Sequence, residues 1–487
     1  MSPLAALVAA LAIPFVGAGL IALAGRAPNL RETVTLATAA LLFLTVASIT
    51  PHVLAGGRPQ LVLFEMLPGL LFAFRIEPLG MLFALVASGL WIVNSLYSIG
   101  YMRGNAEQHQ TRFYVCFAGA LGATMAVAFA GNLITLFLAY EALTLITYPL
   151  VTHHGDEEAK RGGRIYLGYL LTTSIVLLLV GIIVTWSVAG TTDFLPGGIL
   201  GDRLGNAATA GLLALYMFGI GKAALMPFHR WLPAAMVAPT PVSALLHAVA
   251  VVKAGVFTVV KVIVYVFGVE HLAGMRAADW LPFAAGFTII AASIVALRAD
   301  NLKRRLAYST VSQLSYVILA ASILTPLSIV GAALHIAAHA VSKITLFFAA
   351  GAIYTAAHKT EVSQLAGIGR RMPWTMGAFT IGALSLIGVP PLVGFLGKWF
   401  ILLGALDTGQ LFAVAVIIAS TLLNAAYFLP IVHAAFFRVE DTPPAHEHGE
   451  APLASVVALT LTAAGTIALF FFPEVPLGLA RALAGLQ

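Results

Sequence analysis

Fourteen runs of mostly apolar residues, each about long enough to cross a bilayer, constrain this chain more than any other feature. A spanning helix needs about 20 such residues. Pro, Gly and charge clusters set off runs at 3–25, 31–50, 78–100, 113–130, 132–152, 164–189, 207–228, 239–267, 280–298, 304–324, 326–357, 374–406, 410–437 and 453–474. A soluble chain so built could not clothe its surface, because only 9% of its residues are charged against roughly a quarter in soluble domains. The expected fold is all-α and integral to the membrane. Runs 326–357 and 374–406 exceed one membrane thickness and are expected to be tilted, broken or extended past it. The first run lacks the basic flank of a signal peptide and reads as a retained helix. Between Gln60 and Pro78 the chain is too short and polar to span, and the alternation around Pro68-Gly69 predicts an external hairpin.

The net charge of +6 does not point to nucleic acid, since no basic run is longer than Lys303-Arg304-Arg305. Loops after odd-numbered runs hold 16 Lys and Arg, and those on the other side hold 5. The positive-inside rule places the first set in the cytoplasm and both termini outside the plasma membrane. The remaining five basic residues, Lys222, Lys253, Lys261, Lys343 and Lys398, all fall inside apolar runs, whereas among the 20 acidic residues only Glu141 lies near the centre of one.

A buried ionisable side chain costs about 2.5–3.5 kcal/mol on insertion scales. Lys261 sits late in its run, where snorkelling to the interface is expected. The deeper lysines imply a hydrated or mutually paired interior, because one carboxylate cannot neutralise them all. Lysine suits proton exchange because burial penalises its charged form, so that a neighbouring charge decides whether the proton is held. Glu141 and Lys222 are the candidate switch pair, with a static salt bridge as the structural alternative. His335, His339 and Lys343 follow one another at intervals of four and so share a helix face. Histidine relays protons near neutral pH, and His247 shares a run with Lys253. Pro227 follows Lys222, and Pro390-Pro391 precedes Lys398. Proline frees backbone groups that lipid cannot satisfy, so both helices are expected to break at an ion site.

A single cysteine, Cys116, makes no disulfide, iron–sulfur or structural zinc site by itself. No nucleotide or metalloprotease motif is present. No cofactor is therefore expected, and any redox centre would sit on other subunits. His446 and His448 lie in a polar stretch that reads as linker and not as a metal site.

The segment from Lys222 through Met226-Pro227-Phe228-His229-Arg230-Trp231 to His247 and Lys253 resembles the hallmark of a known family. These are the antiporter-like membrane subunits shared by respiratory complex I, membrane-bound hydrogenases and Mrp-type cation/proton antiporters. Phe137-Leu-Ala-Tyr-Glu141 and Gly388-Val-Pro-Pro-Leu-Val-Gly-Phe-Leu-Gly-Lys398 fit as well. The resemblance implies two inverted five-helix bundles, helices four to eight and nine to thirteen, with helices seven and twelve broken. It divides the chain into N-terminal helices (1–112), a first half-channel bundle (113–267), a second (268–438) and a loop with a last helix (439–487). By motif position Glu141, Lys222, His247, Lys253, His335, His339, Lys343 and Lys398 form the implied relay, with Lys398 at the exit. Lys398, the double proline and the Ser420–Pro430 stretch are most similar to the D-type component of the Mrp antiporters. The implied function is proton translocation coupled to sodium in a multi-subunit complex of membrane proteins, with no catalysis by this chain. The alternatives are a pumping subunit of complex I or a hydrogenase, and a structural spacer.

Overall fold

In lipid a spanning segment must satisfy its backbone polar groups internally, so apolar runs of this length become helices. A computed structural model describes residues 1–439 and 449–486 of the chain. His446 and His448 lie outside the described residues, as does the side chain of His247. Every one of the fourteen runs contains helix. Among the described residues ten helices are long and apolar enough to cross a membrane; the other runs are short, broken or more polar.

The run expected at 164–189 starts earlier, as the span Glu157–Ala189. Its polar first turn is fixed by Asp156, whose carboxylate accepts from the Ala159 amide at 2.7 Å, and by Glu157 and Glu158, which suit a helix N-terminus. The hairpin forms as expected: Gln60–Leu67 pairs antiparallel with Leu70–Arg75. Gly69 closes the turn at φ +78°, a conformation that side chains resist. A ten-residue helix, Glu474–Leu483, follows the last apolar run.

The helix Pro326–Ala357 runs unbroken for 32 residues, about 48 Å at the usual rise. Its most apolar stretch is wholly buried. The helices Pro78–Gly104, Leu302–Ser322, Pro373–Ile387, Val393–Asp407 and Leu453–Phe471 pack around it. Its start is fixed by a capping box between Thr325 and Ser328.

Both breaks expected from proline are present. Helix Asn206–Gly219 ends before Lys222, and the chain passes through short turns, with Ala224 left-handed, to Trp231–Ala234. Groups freed by the break find side chains: the Lys222 amide donates to the Tyr140 hydroxyl at 3.0 Å, and Trp231 Nε1 donates to the Gly221 carbonyl at 2.9 Å. The second break separates Pro373–Ile387 from Val393–Asp407, with Gly388 at φ +98°. Here the Gly394 amide donates to Ser385 Oγ at 3.1 Å. Three π-helical turns, Ser174–Leu178, Leu245–Val249 and Ile263–Phe267, had no signal in the apolar pattern.

Candidate functional site

The lysines of the apolar runs are interior residues. None of Lys222, Lys253, Lys261, Lys343 and Lys398 is more than 6% exposed, so none snorkels to a headgroup. Lys261 departs most from expectation. It is fully buried and ion-paired to Glu77 at 3.2 Å, and it donates to the Ala130 carbonyl at 2.7 Å. Glu77 directly follows the hairpin and looks like a loop residue in the sequence, but it is only 3% exposed. Glu141 is thus not the sole carboxylate of the interior. Four lysines remain with no carboxylate within 4 Å among the described residues.

Lys222 projects from its broken segment onto the helix Leu133–Val151. Its ammonium donates to the Tyr140 carbonyl at 2.8 Å and to the Thr144 hydroxyl at 2.5 Å, and it lies 3.2 Å from the Tyr140 ring centroid. Glu141 sits beside these acceptors on the same helix but makes no ion pair with Lys222. Neither of its buried carboxylate oxygens has a hydrogen-bond partner among the described residues. The structure therefore brings the candidate switch pair onto neighbouring positions without closing it as a static salt bridge. A buried carboxylate in that position is satisfied by water or by taking up a proton.

The second break is arranged differently. Lys398 lies one turn into Val393–Asp407 and reaches back across the gap, where it donates to the Leu386 and Ile387 carbonyls at 2.8 and 3.0 Å. These are orphan carbonyls at the C-terminus of a half-helix, the end that favours a cation.

From Lys398 a file of polar side chains crosses the core. Its ammonium lies 4.9 Å from the Tyr316 ring, and that ring stacks on His335 at 5.4 Å. His335 hydrogen-bonds Gln313 at 3.0 Å and stacks on His339 at 6.2 Å. His339 Nδ1 is hydrogen-bonded to Lys253 Nζ, joining residues 86 apart in sequence. One proton suffices for that bond, whichever nitrogen carries it. Lys343, one turn further along the same helix, donates to Ser309 at 2.8 Å; Ser309 also accepts from the Tyr427 hydroxyl at 3.1 Å, and Tyr427 bonds Asn424. His335, His339 and Lys343 thus work along one helix face, as their spacing predicts. His247 lies in the π-helical turn before Lys253.

The broken segment and the Lys253 helix touch backbone to backbone. A Cβ on Gly255 would stand 2.3 Å from the Lys222 carbonyl carbon and the Ala223 nitrogen, so only glycine allows this approach. The residue types of the relay were readable in the sequence, but their partners were not. Ser309, Gln313 and Tyr316 do form a polar stripe at helical spacing on Leu302–Ser322, a signal that was available.

Residues 130–424 match the model of the family described as NADH:quinone oxidoreductase/Mrp antiporter, transmembrane. The chain is 32% identical over 420 residues to the A/B component of a probable K(+)/H(+) antiporter of Rhizobium meliloti, an alignment covering 84% of this chain. It spans only 41% of that relative's length. It is 31% identical to NADH-quinone oxidoreductase subunit N of Desulforudis audaxviator, over 82% of each chain. A chain in the solved Mrp complex of Dietzia sp. has the same fold, with a TM-score of 0.88 at 22% identity over 100% of this chain and 97% of that one. This multi-pass membrane protein belongs to the NADH:quinone oxidoreductase/Mrp antiporter transmembrane family.

Proposed function

We propose that this chain is the proton-translocating subunit of a multi-subunit Mrp-type antiporter that exchanges protons for sodium or another monovalent cation. One observation carries the reading: a file of ionisable and aromatic side chains runs through the buried interior from Lys398 through Tyr316, His335 and His339 to Lys253. In this reading Glu141 and Lys222 load the first bundle (113–267), Lys253 and His339 pass the proton to the second (268–438), and Lys343 and Lys398 release it. Charge on Glu141 acts on Lys222 through low-dielectric surroundings, where Coulomb forces are strong, and biases whether the ammonium keeps its proton. The basic loops face the cytoplasm and both termini lie outside the plasma membrane. The chain performs no bond-making reaction of its own.

The test is to isolate the tagged chain from its own membrane, identify what comes with it by mass spectrometry, and measure cation-driven proton movement in vesicles. Several small hydrophobic subunits and sodium- or potassium-driven flux are expected. Iron–sulfur or NADH-binding partners would instead favour a second reading, a pumping subunit of a quinone-reducing oxidoreductase. That reading draws on the 31% identity to NADH-quinone oxidoreductase subunit N.

A further inference from the structure

A second group of titratable side chains lies outside the relay, on the side of the basic-rich loops. Glu107 stands between the helices Pro78–Gly104 and Gln110–Ala128, and His153 and His154 follow the helix Leu133–Val151. The two imidazoles address the two oxygens of one carboxylate: His154 Nε2 lies 3.4 Å from Glu107 Oε1, and His153 Nε2 lies 3.8 Å from Oε2. Side-chain exposure falls inward, from 38% at His154 to 12% at Glu107 and 2% at His153. The group is graded from solvent towards the interior.

Beside it opens a cavity of about 360 Å³, with Glu107 and His154 in its wall and Tyr101, Thr240 and Ala350 among its lining. These last three are buried. Tyr101 and Thr240 line the cavity together, and Thr240 is the first residue of the segment that leads to Lys253. Ala350 stands two turns from Lys343 on one face of Pro326–Ala357, roughly 10 Å along the axis. The cavity therefore reaches from a solvent-facing imidazole to the two helices that carry the relay lysines.

We propose that Glu107, His153 and His154 form a proton-collecting site at the mouth of this cavity and feed the buried relay from the basic-loop side. The proposal rests on the proton-translocating reading above. The surroundings support a division of labour. The hydrogen bond to Glu107 raises the affinity of His154 for a proton, with Asp156 adding to it and Lys303 opposing. Burial holds His153 down to about 4, aided by Arg112 and opposed by Glu107. The outer imidazole is thus the stronger base of the two and the one that takes a proton from solvent, while the inner one stays neutral at neutral pH and faces it across the shared carboxylate. Lys303 is held at the lip by its bond to the Ala238 carbonyl at 2.6 Å, and Glu158, Lys359 and Tyr354 complete the charged and titratable rim. Arg112 is fixed by donation to the His153 carbonyl at 2.8 Å.

The experiment uses the assembled complex in weakly buffered vesicles and follows cation-driven proton flux from mildly acidic to alkaline pH. It compares wild type, His154→Gln, Glu107→Gln and the buried control Lys222→Ala. His154→Gln changes a partly exposed side chain, and Glu107→Gln keeps its shape, so both leave the fold in place. Each is expected to slow flux several-fold at alkaline pH, where protons are scarce, and little at acidic pH. Added imidazole, as a mobile carrier, is expected to restore the rate. A wild-type pH profile in both variants, or a slowing uniform in pH that imidazole leaves unrelieved, overturns the proposal. An inactive Lys222→Ala beside a wild-type His154→Gln would sink the collecting site alone. Wild-type flux in Lys222→Ala would sink the translocation reading instead.

Discussion

Lys261 and Lys222 are both buried ammonium groups on broken or irregular helices, but their surroundings give them different work. Lys261 has a carboxylate partner, and removing one member of a buried pair typically costs about 3–5 kcal/mol because the other is left uncompensated. Arg75 and Arg58 also act on Glu77, which favours the lower end of that range. Lys261→Met is therefore expected to lower the thermal stability of the purified complex markedly, and adding Glu77→Gln to restore most of it. Loss in the double variant equal to that in the single would refute this role. Lys222, held by a carbonyl and a hydroxyl, closes no ion pair, so its removal breaks no salt bridge. Lys222→Ala and Glu141→Ala are expected to assemble normally and to abolish transport, read as subunit recovery and proton flux from the same preparations. All the relay residues were legible as ionisable groups inside apolar runs. Glu77 was not, because it is paired with Lys261, far away in the sequence, which no local pattern encodes.

At the scale of elements, the two breaks are satisfied by opposite means. The first places a lysine at the break itself and satisfies the freed amide and carbonyl with Tyr140 and Trp231. The second leaves carbonyls at a half-helix end and brings Lys398 back to them. The first arrangement depends on Gly255. A side chain there must displace the backbone of Lys222 and Ala223, and such overpacking costs about 1–3 kcal/mol. Gly255→Val is expected to reduce stability by that order and to lose transport with it. Gly168→Ala, in open space on the helix Glu157–Thr173, is expected to be neutral or slightly stabilising. Thermal unfolding of the two variants side by side checks both. Helix positions and proline breaks were legible because length, hydropathy and proline act locally. The polar first turn at Asp156 and the three π-helical turns were hidden, the one by its charge and the others because a π turn is set by packing.

Across the whole molecule, the unbroken helix Pro326–Ala357 ties the parts together. It presents His335 and Lys343 to Leu302–Ser322 and His339 to Lys253. The Lys253–His339 bond joins the stretches expected to form separate bundles, and nothing local in the sequence foretold it. In the proposed relay it is also the link on which a continuous proton path depends. The most direct measurement is proton flux driven by an imposed cation gradient across vesicles holding the complete complex, with Lys253→Met compared with wild type at equal assembly. A relay through this bond predicts a fall of at least about tenfold, since a positioned proton-transfer group contributes that much or more. Flux at the wild-type rate would contradict it.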